Sequence, residues 1–175
     1  MDTNLLLFIN HLRSPLLDEF FLFITNKYNL VFIVIPLLIA LFLKFKRYAF
    51  WIILTIIIAA IVSNTLCSHV LKPFFGRVRP CMLNIPDLYP LLHIGSHSFP
   101  SNHAANIFTF ATVLYSFWKR SAYFFYPLAF LVSIGRVYEG VHFPADVLAG
   151  AIFGIIIALI ISFLFKKIWN EDTSI

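Results

Sequence analysis

A histidine and an aspartate in the last third of the chain have the spacing of a nucleophile and its partner. His142 and Asp146 are four residues apart, and Pro144 between them is typical of the first turn of a helix. A carboxylate at this spacing can reach back to one imidazole nitrogen and leave the lone pair of the other nitrogen free. The pair predicts a nucleophile or base, although such pairs also occur as plain buried hydrogen bonds.

The segment before a second histidine predicts a seat for an anion. Ser101 or Asn102 suits the N-cap of a helix that begins near His103, because either side chain can accept a hydrogen bond from the first turn. A helix N-terminus presents unpaired N–H groups and partial positive charge, and both attract a phosphate oxygen. On its own, the segment is equally adequate as an ordinary helix start with an incidental histidine.

Three basic residues flank these segments, namely Lys72, Arg79 and Arg136. If they met at one place they would repel one another, so an anion is expected between them. Arginine forks match phosphate oxygens, and lysine adds a compact charge. The alternative for each residue alone is an interfacial cation that contacts water or a lipid headgroup.

The elements that must position these residues are apolar enough to require a lipid environment. The chain has 175 residues, of which 61% are hydrophobic and 12% charged. Residues 49–71 and 147–165 contain no Asp, Glu, Lys or Arg, so each can cross a hydrocarbon layer of about 30 Å as a helix. The net charge of +5 is scattered between apolar runs and forms no stripe, so no nucleic-acid partner is predicted.

Short polar turns separate the apolar runs, and this pattern predicts an all-α integral membrane protein. We expect a single domain over residues 1–175 with a six-helix transmembrane bundle. Residues 4–12 are expected to form an interfacial amphipathic helix, and residues 72–100 a long outer loop. Several runs are shorter than the ~20 residues that a perpendicular span needs, which leaves room for one or two partial spans. The predicted helices cover residues 15–25, 29–43, 48–71, 103–118, 121–135 and 144–165.

The orientation in the membrane follows from the Lys and Arg residues outside the candidate site, because short cytoplasmic loops carry an excess of these residues. With six crossings, the side shared by both termini receives three basic clusters and is predicted to be the cytoplasm. The candidate site then faces outward, on the non-cytoplasmic side of the membrane. The clusters are at residues 44–47, 119–120 and 166–167.

The sequence gives weak support to disulfide or metal chemistry. Cys67 and Cys81 form neither a disulfide framework nor a metal-ligand spacing, and a bridge between them stays open. No His-Glu-x-x-His pattern appears and the carboxylates that two metal ions would need are missing, so a metallophosphatase is disfavoured and no metal or cofactor is predicted. The histidines considered for that alternative are His69, His93, His97, His103 and His142.

The three segments together resemble the type 2 phosphatidic acid phosphatase family, whose pattern is K-x6-R-P, then P-S-G-H, then S-R-x5-H-x3-D. Order and internal spacing match from Lys72 to Asp146. Two positions depart from the pattern. Asn102 stands where the family usually has Gly, and Gly135 stands where it usually has Ser, which removes a hydroxyl from the site.

The resemblance implies a metal-independent membrane lipid phosphatase. It implies that His142 attacks phosphorus to form a phosphohistidine, that Asp146 orients it, and that His103 is the general acid and base. The remaining implied phosphate-binding residues are Lys72, Arg79, Ser101, Asn102 and Arg136.

The lipid substrate and the membrane are the only partners that this resemblance implies, with no protein partner required. Lipid A 1-phosphate or undecaprenyl diphosphate fits an outward site, with phosphatidylglycerol phosphate or phosphatidic acid as alternatives. An anion transporter is the rival from a different class, but its charges would lie deeper within several spans.

Overall fold

The computed structural model describes residues 1–26, 28–29 and 31–172, and every regular element within those ranges is helical. A π-helical turn (Leu66–Leu71) joins α4 to α5, so the two form one continuous helix. The α-helices are α1 (Asp2–Asn10), α2 (Pro15–Thr25), α3 (Val31–Phe45), α4 (Ala49–Thr65), α5 (Lys72–Phe75), α6 (Asn102–Phe117), α7 (Ala122–Tyr138) and α8 (Pro144–Asp172).

Two helical stretches are long and apolar enough to cross a membrane. They are Ile35–Phe75, with a mean hydropathy of 2.3, and Pro144–Ile168, with 2.9. The first breaks at Lys46, where φ is 50° and a 3₁₀ turn separates α3 from α4. The third predicted helix was placed at residues 48–71, and the structure continues it to Phe75, so Lys72 lies within a helix and not in the outer loop.

One end of the bundle, which we call the basic end, holds the clusters at residues 44–47, 119–120 and 166–167. The ammonium group of Lys44 lies 3.9 Å from the ring centroid of Trp118, just after α6. Lys166, near the end of α8, donates a hydrogen bond to the carbonyl oxygen of Ser116 on α6. The opposite end, which we call the site end, holds Lys72 and the start of α6, the end of α7 and the start of α8.

Residues 15–25, which the sequence predicted as a span, form α2, and α2 lies across the site end of α7. At its start, the backbone N–H of Ser14 donates to the hydroxyl of Tyr138. At its other end, the hydroxyl of Thr25 donates to Glu139, one residue further along the chain. Eleven residues extend only about 16 Å as a helix, too short for the hydrocarbon layer. Among the described residues, five helical segments run between the two ends: α3, α4 with α5, α6, α7 and α8.

The two ends of the described chain lie at opposite ends of the bundle, whereas the sequence predicted that both termini share one side. Asp2 pairs with Arg77 (2.6 Å) and accepts a hydrogen bond from the backbone N–H of Ala145, so α1 lies at the site end. The last turns of α8 lie at the basic end, beside Ser116.

The joint between α6 and α8 fixes the relative position of the two helix starts that carry predicted site residues. Gly150 and Gly154 face α6 so closely that a Cβ at either would overlap a backbone oxygen, that of Ser101 or of Ala105. The hydroxyl of Thr109 donates to the carbonyl oxygen of Gly154 at 3.1 Å. Small residues at a helix crossing let two backbones approach, which is the usual solution inside a bilayer.

The long loop at the site end begins at Gly76 and is held by the N-terminal segment. The side-chain amide of Asn10 donates to the carbonyl oxygens of Tyr89 and Tyr138, and its oxygen accepts from the N–H of Tyr89. Leu91 donates through its N–H to the carbonyl oxygen of Glu139 at 3.0 Å. The loop is thus bonded to both α1 and the end of α7, and it covers the site.

Candidate active site

His142 lies in the tight turn between α7 and α8, where the chain folds back on itself. Its backbone N–H donates to the carbonyl oxygen of Arg136 (3.2 Å), and its side chain is 1% exposed. The Nη1 of Arg79 lies 2.8 Å from Nε2 of His142. A guanidinium can only donate, so Nε2 carries the lone pair and Nδ1 carries the proton. In this tautomer Nδ1–H is on the side of Asp146.

Asp146 is fully buried in the first turn of α8. Its Oδ2 lies 3.5 Å from Nδ1 of His142, at the outer limit of a hydrogen bond, and Nδ1 makes no hydrogen bond within the described chain. The same Oδ2 accepts a hydrogen bond from the N–H of Phe143 at 2.9 Å. The carboxylate therefore faces the imidazole, as predicted, while its firmest bonds go to other groups.

The strongest partner of Asp146 is Arg77, a residue that the sequence analysis did not select. Its Nη1 lies 2.7 Å from Oδ1 of Asp146, and its Nη2 lies 2.6 Å from Oδ2 of Asp2. The guanidinium also stacks on Phe143, 4.0 Å from the ring centroid. Arg77 thus ties the N-terminal helix to the carboxylate behind His142. The sequence did contain a signal for this pairing. Asp2 is the only charged side chain in residues 1–12, and a lone carboxylate in an apolar segment is expected to pair with a basic residue.

Arg79 and Lys72 reach the same region from the loop and from α5. Arg79 is 5% exposed and donates to both the carbonyl and hydroxyl oxygens of Ser96, and to the carbonyl oxygen of Val141. Lys72 is 8% exposed and donates through Nζ to the carbonyl oxygen of His97. Carbonyl oxygens of the loop thus hold two buried cations in place.

Arg136 lies in the last turn of α7 and is 4% exposed. Its Nη1 pairs with Oε2 of Glu139 at 2.7 Å, one turn further on. Its Nε is buried, and within the described chain it has no hydrogen-bond partner. Glu139 was also missed by the sequence analysis, since nothing in its spacing distinguishes it from a turn residue.

The start of α6 has the predicted cap, and its side chains divide into two roles. Ser101 is the N-cap and accepts a long hydrogen bond from the N–H of Ala104 at 3.5 Å, while its own N–H donates to the carbonyl oxygen of Asp146. His103 is half-buried, and the positive charges of Arg136, Arg79 and Lys72 act on its ring. His103 and His142 therefore lie near the same three cations.

The two departures from the family pattern have structural reasons. The side-chain amide of Asn102 points away to α4 and donates to Ser68 and Asn64, so only its backbone could serve a phosphate. At Gly135 a Cβ would lie 2.8 Å from Cγ2 of Thr25 and 2.9 Å from Cδ1 of Phe21. The side chains of α2 fill the space that a serine would need.

Burial dominates the protonation of the turn and loop residues. It lowers the pKa of His142 well below its usual value, and the nearby charge of Arg79 acts in the same direction. Burial also lowers the pKa of Arg79 and raises the pKa of Glu139, although the charge of Arg136 opposes the latter shift. His142 is therefore held as a neutral imidazole with its lone pair available.

Other side chains with ligand chemistry do not gather in the same way. Among the described residues, no group of three or more His, Cys, Asp and Glu is placed to hold a metal ion. Cys67 and Cys81 are both buried free thiols, which settles the open question of a bridge. His93 and His97 have exposed side chains on the loop.

A neutral buried imidazole, a carboxylate behind it and three buried cations lie together at one end of apolar helices. The PAP2 superfamily model matches residues 49–170, and the chain belongs to that family. It is a lipid phosphate hydrolase.

Relatives and solved structures agree with that assignment. The chain is 34% identical to a lipid A 4'-phosphatase of Bacteroides thetaiotaomicron, over 88% of this chain and 72% of the relative. It resembles the crystal structure of Aquifex aeolicus LpxE, with a TM-score of 0.70, 36% identity and coverage of 91% of this chain and 93% of that one. A PAP2 type phosphatidylglycerolphosphate phosphatase from Bacillus subtilis gives a TM-score of 0.71 at 27% identity, covering 95% and 85%.

Proposed function

We propose that the chain removes a phosphate group from lipid A through a phosphohistidine on His142. The observation that carries the mechanism is the 2.8 Å contact between Nη1 of Arg79 and Nε2 of His142, which places the lone pair of a neutral imidazole beside a phosphate-binding group. The 34% identity to a lipid A 4'-phosphatase supports the substrate class. Whether the 1-phosphate or the 4'-phosphate is removed is decided by assay.

The reaction proceeds in two displacements. An incoming phosphate draws the donors of Arg79 to its oxygens, which uncovers the lone pair of Nε2. Nε2 then attacks phosphorus in line as the bond from phosphorus to the lipid oxygen breaks, and His103 donates a proton to that oxygen. The carboxylate of Asp146 stabilises the positive charge that forms on His142.

The second displacement restores the enzyme. His103 takes a proton from a water molecule as the water attacks phosphorus, and the Nε2–P bond breaks to release inorganic phosphate. Through both steps Lys72, Arg79 and Arg136 hold the equatorial oxygens, with the amide groups at Ser101 and Asn102 assisting. The charge of these groups takes the place of a metal ion, so chelator is expected to leave the rate unchanged.

We place the site on the outer face of the bacterial inner membrane. The basic end carries the cation-rich loops and is assigned to the cytoplasm by the positive-inside rule. The site end then faces the periplasm together with α1 and α2. With five crossings, the start of the chain is outside and the end of α8 is inside.

The proposal is tested with purified protein in detergent micelles containing one lipid at a time. The panel is lipid A, undecaprenyl diphosphate, phosphatidylglycerol phosphate and phosphatidic acid, with released phosphate as the readout. We expect release from lipid A to be fastest and to vanish in His142→Ala, while His93→Ala, on the exposed part of the loop, retains it. Preference for undecaprenyl diphosphate would overturn the substrate assignment.

The intermediate is tested separately with substrate labelled at phosphorus. With a labelled phosphate ester whose leaving group needs no proton, His103→Ala lacks only the base of the second displacement, so an acid-labile phosphoenzyme is expected to accumulate. His142→Ala must carry no label. Label that resists acid, or that persists in His142→Ala, would exclude the phosphohistidine.

A further inference from the structure

Glu139 is a carboxylate inside the site that the two displacements do not use. It is fully buried, and in sequence it lies midway between Arg136 and His142. Its Oε2 accepts from Nη1 of Arg136 at 2.7 Å, and its Oε1 accepts from the hydroxyl of Thr25. Its backbone N–H donates to Gly135 and its carbonyl oxygen accepts from Leu91. A carboxylate fixed at so many points can fix the group it binds.

The arginine that Glu139 binds has donors left over. One Nη is paired with the carboxylate, whereas the buried Nε has no hydrogen-bond partner in the described part of the chain. A buried donor without an acceptor is costly unless a ligand completes it. The charge of Arg136 acts on Arg79 and Lys72, so the unused donor belongs to the same cation cluster.

Thr25 supplies the hydroxyl that the departure at Gly135 removes. The space beside Gly135 is filled by Thr25 and Phe21 of α2, with contacts of 2.8 and 2.9 Å to a Cβ built there. The hydroxyl proton of Thr25 can go to the carbonyl oxygen of Phe21 or to Glu139, and the charged acceptor forms the stronger bond. A helix at the site end thus replaces a side chain of α7.

We propose that Glu139 is a positioning residue that aims Arg136 at the substrate phosphate, and that Thr25 of α2 holds Glu139 in that orientation. The inference rests on the proposed role of Arg136 in binding phosphate. It gives α2, which crosses no membrane, a function in the site. Loss of the Thr25 hydroxyl lets the carboxylate rotate, and Arg136 then follows it away from the phosphate.

A matched pair of variants tests the hydroxyl. Thr25→Ser keeps the hydroxyl and Thr25→Val keeps the shape without it. We expect Thr25→Val to raise KM and to weaken inorganic phosphate binding together, on the order of three- to ten-fold, since one hydrogen bond to a charged group is lost. Thr25→Ser is expected to stay within about two-fold of the unmodified protein in both measurements.

Phosphate binding is measured without turnover, as the concentration of inorganic phosphate that gives half of the maximal rise in melting temperature. The double variant Thr25→Val with Glu139→Gln is expected to bind phosphate no worse than Glu139→Gln alone, because the hydroxyl acts through the carboxylate. Additive losses would overturn the relay. Equal phosphate affinity in Thr25→Val and Thr25→Ser, whatever their melting temperatures, would reduce Thr25 to a packing residue.

The two proposals fail in different ways. A protein that binds phosphate but releases none from any lipid would refute the proposed function, and the Thr25 pair would still be judged on phosphate affinity. A protein active on lipid A with an identical Thr25 pair would refute only the positioning role. No phosphate-dependent stabilisation at all in the unmodified protein would refute the role of Arg136, and with it the inference.

Discussion

Replacing Gly150 with alanine would disturb the joint that holds the two catalytic histidines at a fixed separation. Gly150 lies one turn after Asp146 on α8, and it faces the carbonyl oxygen of Ser101, two residues before His103 on α6. Across the same joint, the N–H of Ser101 donates to the carbonyl oxygen of Asp146 at 2.9 Å. A methyl group at Gly150 would lie directly between these backbone groups of α6 and α8.

The size of the effect follows from the crowding. A Cβ at Gly150 would meet the oxygen of Ser101 well inside 3.0 Å, and also the Cβ of Ala104 at 3.2 Å and the backbone N of Ala105 at 3.3 Å. The oxygen and nitrogen belong to backbone, so no flexible side chain can yield. The helix starts must therefore separate by about 1 Å, and a misplacement of that size costs on the order of 100-fold in rate. Overpacking costs a further 1–3 kcal/mol or so of stability.

The assay compares kcat/KM for phosphate release from lipid A with the melting temperature in the same detergent. Gly150→Ala is expected to fold, to melt at a lower temperature and to lose about 100-fold in kcat/KM. Gly95→Ala is the matched control, because a Cβ there meets no described atom within 4 Å. Activity of Gly150→Ala within two-fold of that control would refute the claim that this joint sets the catalytic geometry.

Four further outcomes follow from the structure. Burial lowers the pKa of His142, so the imidazole binds a proton less readily in the folded chain than in the unfolded chain. The free energy of unfolding therefore falls as pH drops below about 6.5, by up to about 1.4 kcal/mol per pH unit. His142→Gln must flatten the corresponding slope of melting temperature against pH. Asp146→Asn is expected to lower kcat on the order of 1000-fold with little change in KM, and unaltered turnover would remove Asp146 from the mechanism. Arg77→Gln is expected to lower kcat by on the order of 10-fold or more while Arg77→Lys recovers part of it, and equal activities would reduce Arg77 to a surface ion pair. Protease-accessible tags on the two termini are expected on opposite sides of sealed vesicles, and accessibility on one side would refute five crossings.

The fold could be predicted where hydrophobicity alone decides it. The uncharged runs at residues 49–71 and 147–165 have no stable place except lipid or a large core, and both are long helices here. Residues 15–25 were predicted as a span because their apolar positions suit either lipid or a protein surface. From sequence alone, a helix that packs on α7 cannot be distinguished from a short span. One miscounted crossing then moves the N-terminus to the wrong side, since parity decides which side it is on.

The site could be predicted only as far as its motif extends. His142 and Asp146 are close enough in sequence for their spacing to predict that they meet. Arg77 and Glu139 bind partners about 75 and 114 positions away, Asp2 and Thr25, and no local spacing reports such pairs. Sequence reasoning therefore selected the residues of the family motif and missed Arg77 and Glu139, which pair with two of them.

Correcting the number of crossings strengthens the orientation argument that the six-helix prediction used. The described cations at the site end each have a specific reason to be there: Arg13 pairs with Asp18, Arg77 pairs with Asp2 and Asp146, and the others are the buried phosphate-binding residues. The clusters at the basic end lie at two short connections and near the end of α8, so the positive-inside rule applies to them directly. The proposed orientation puts the acidic α1–α2 region outside, where its carboxylates can brace the site.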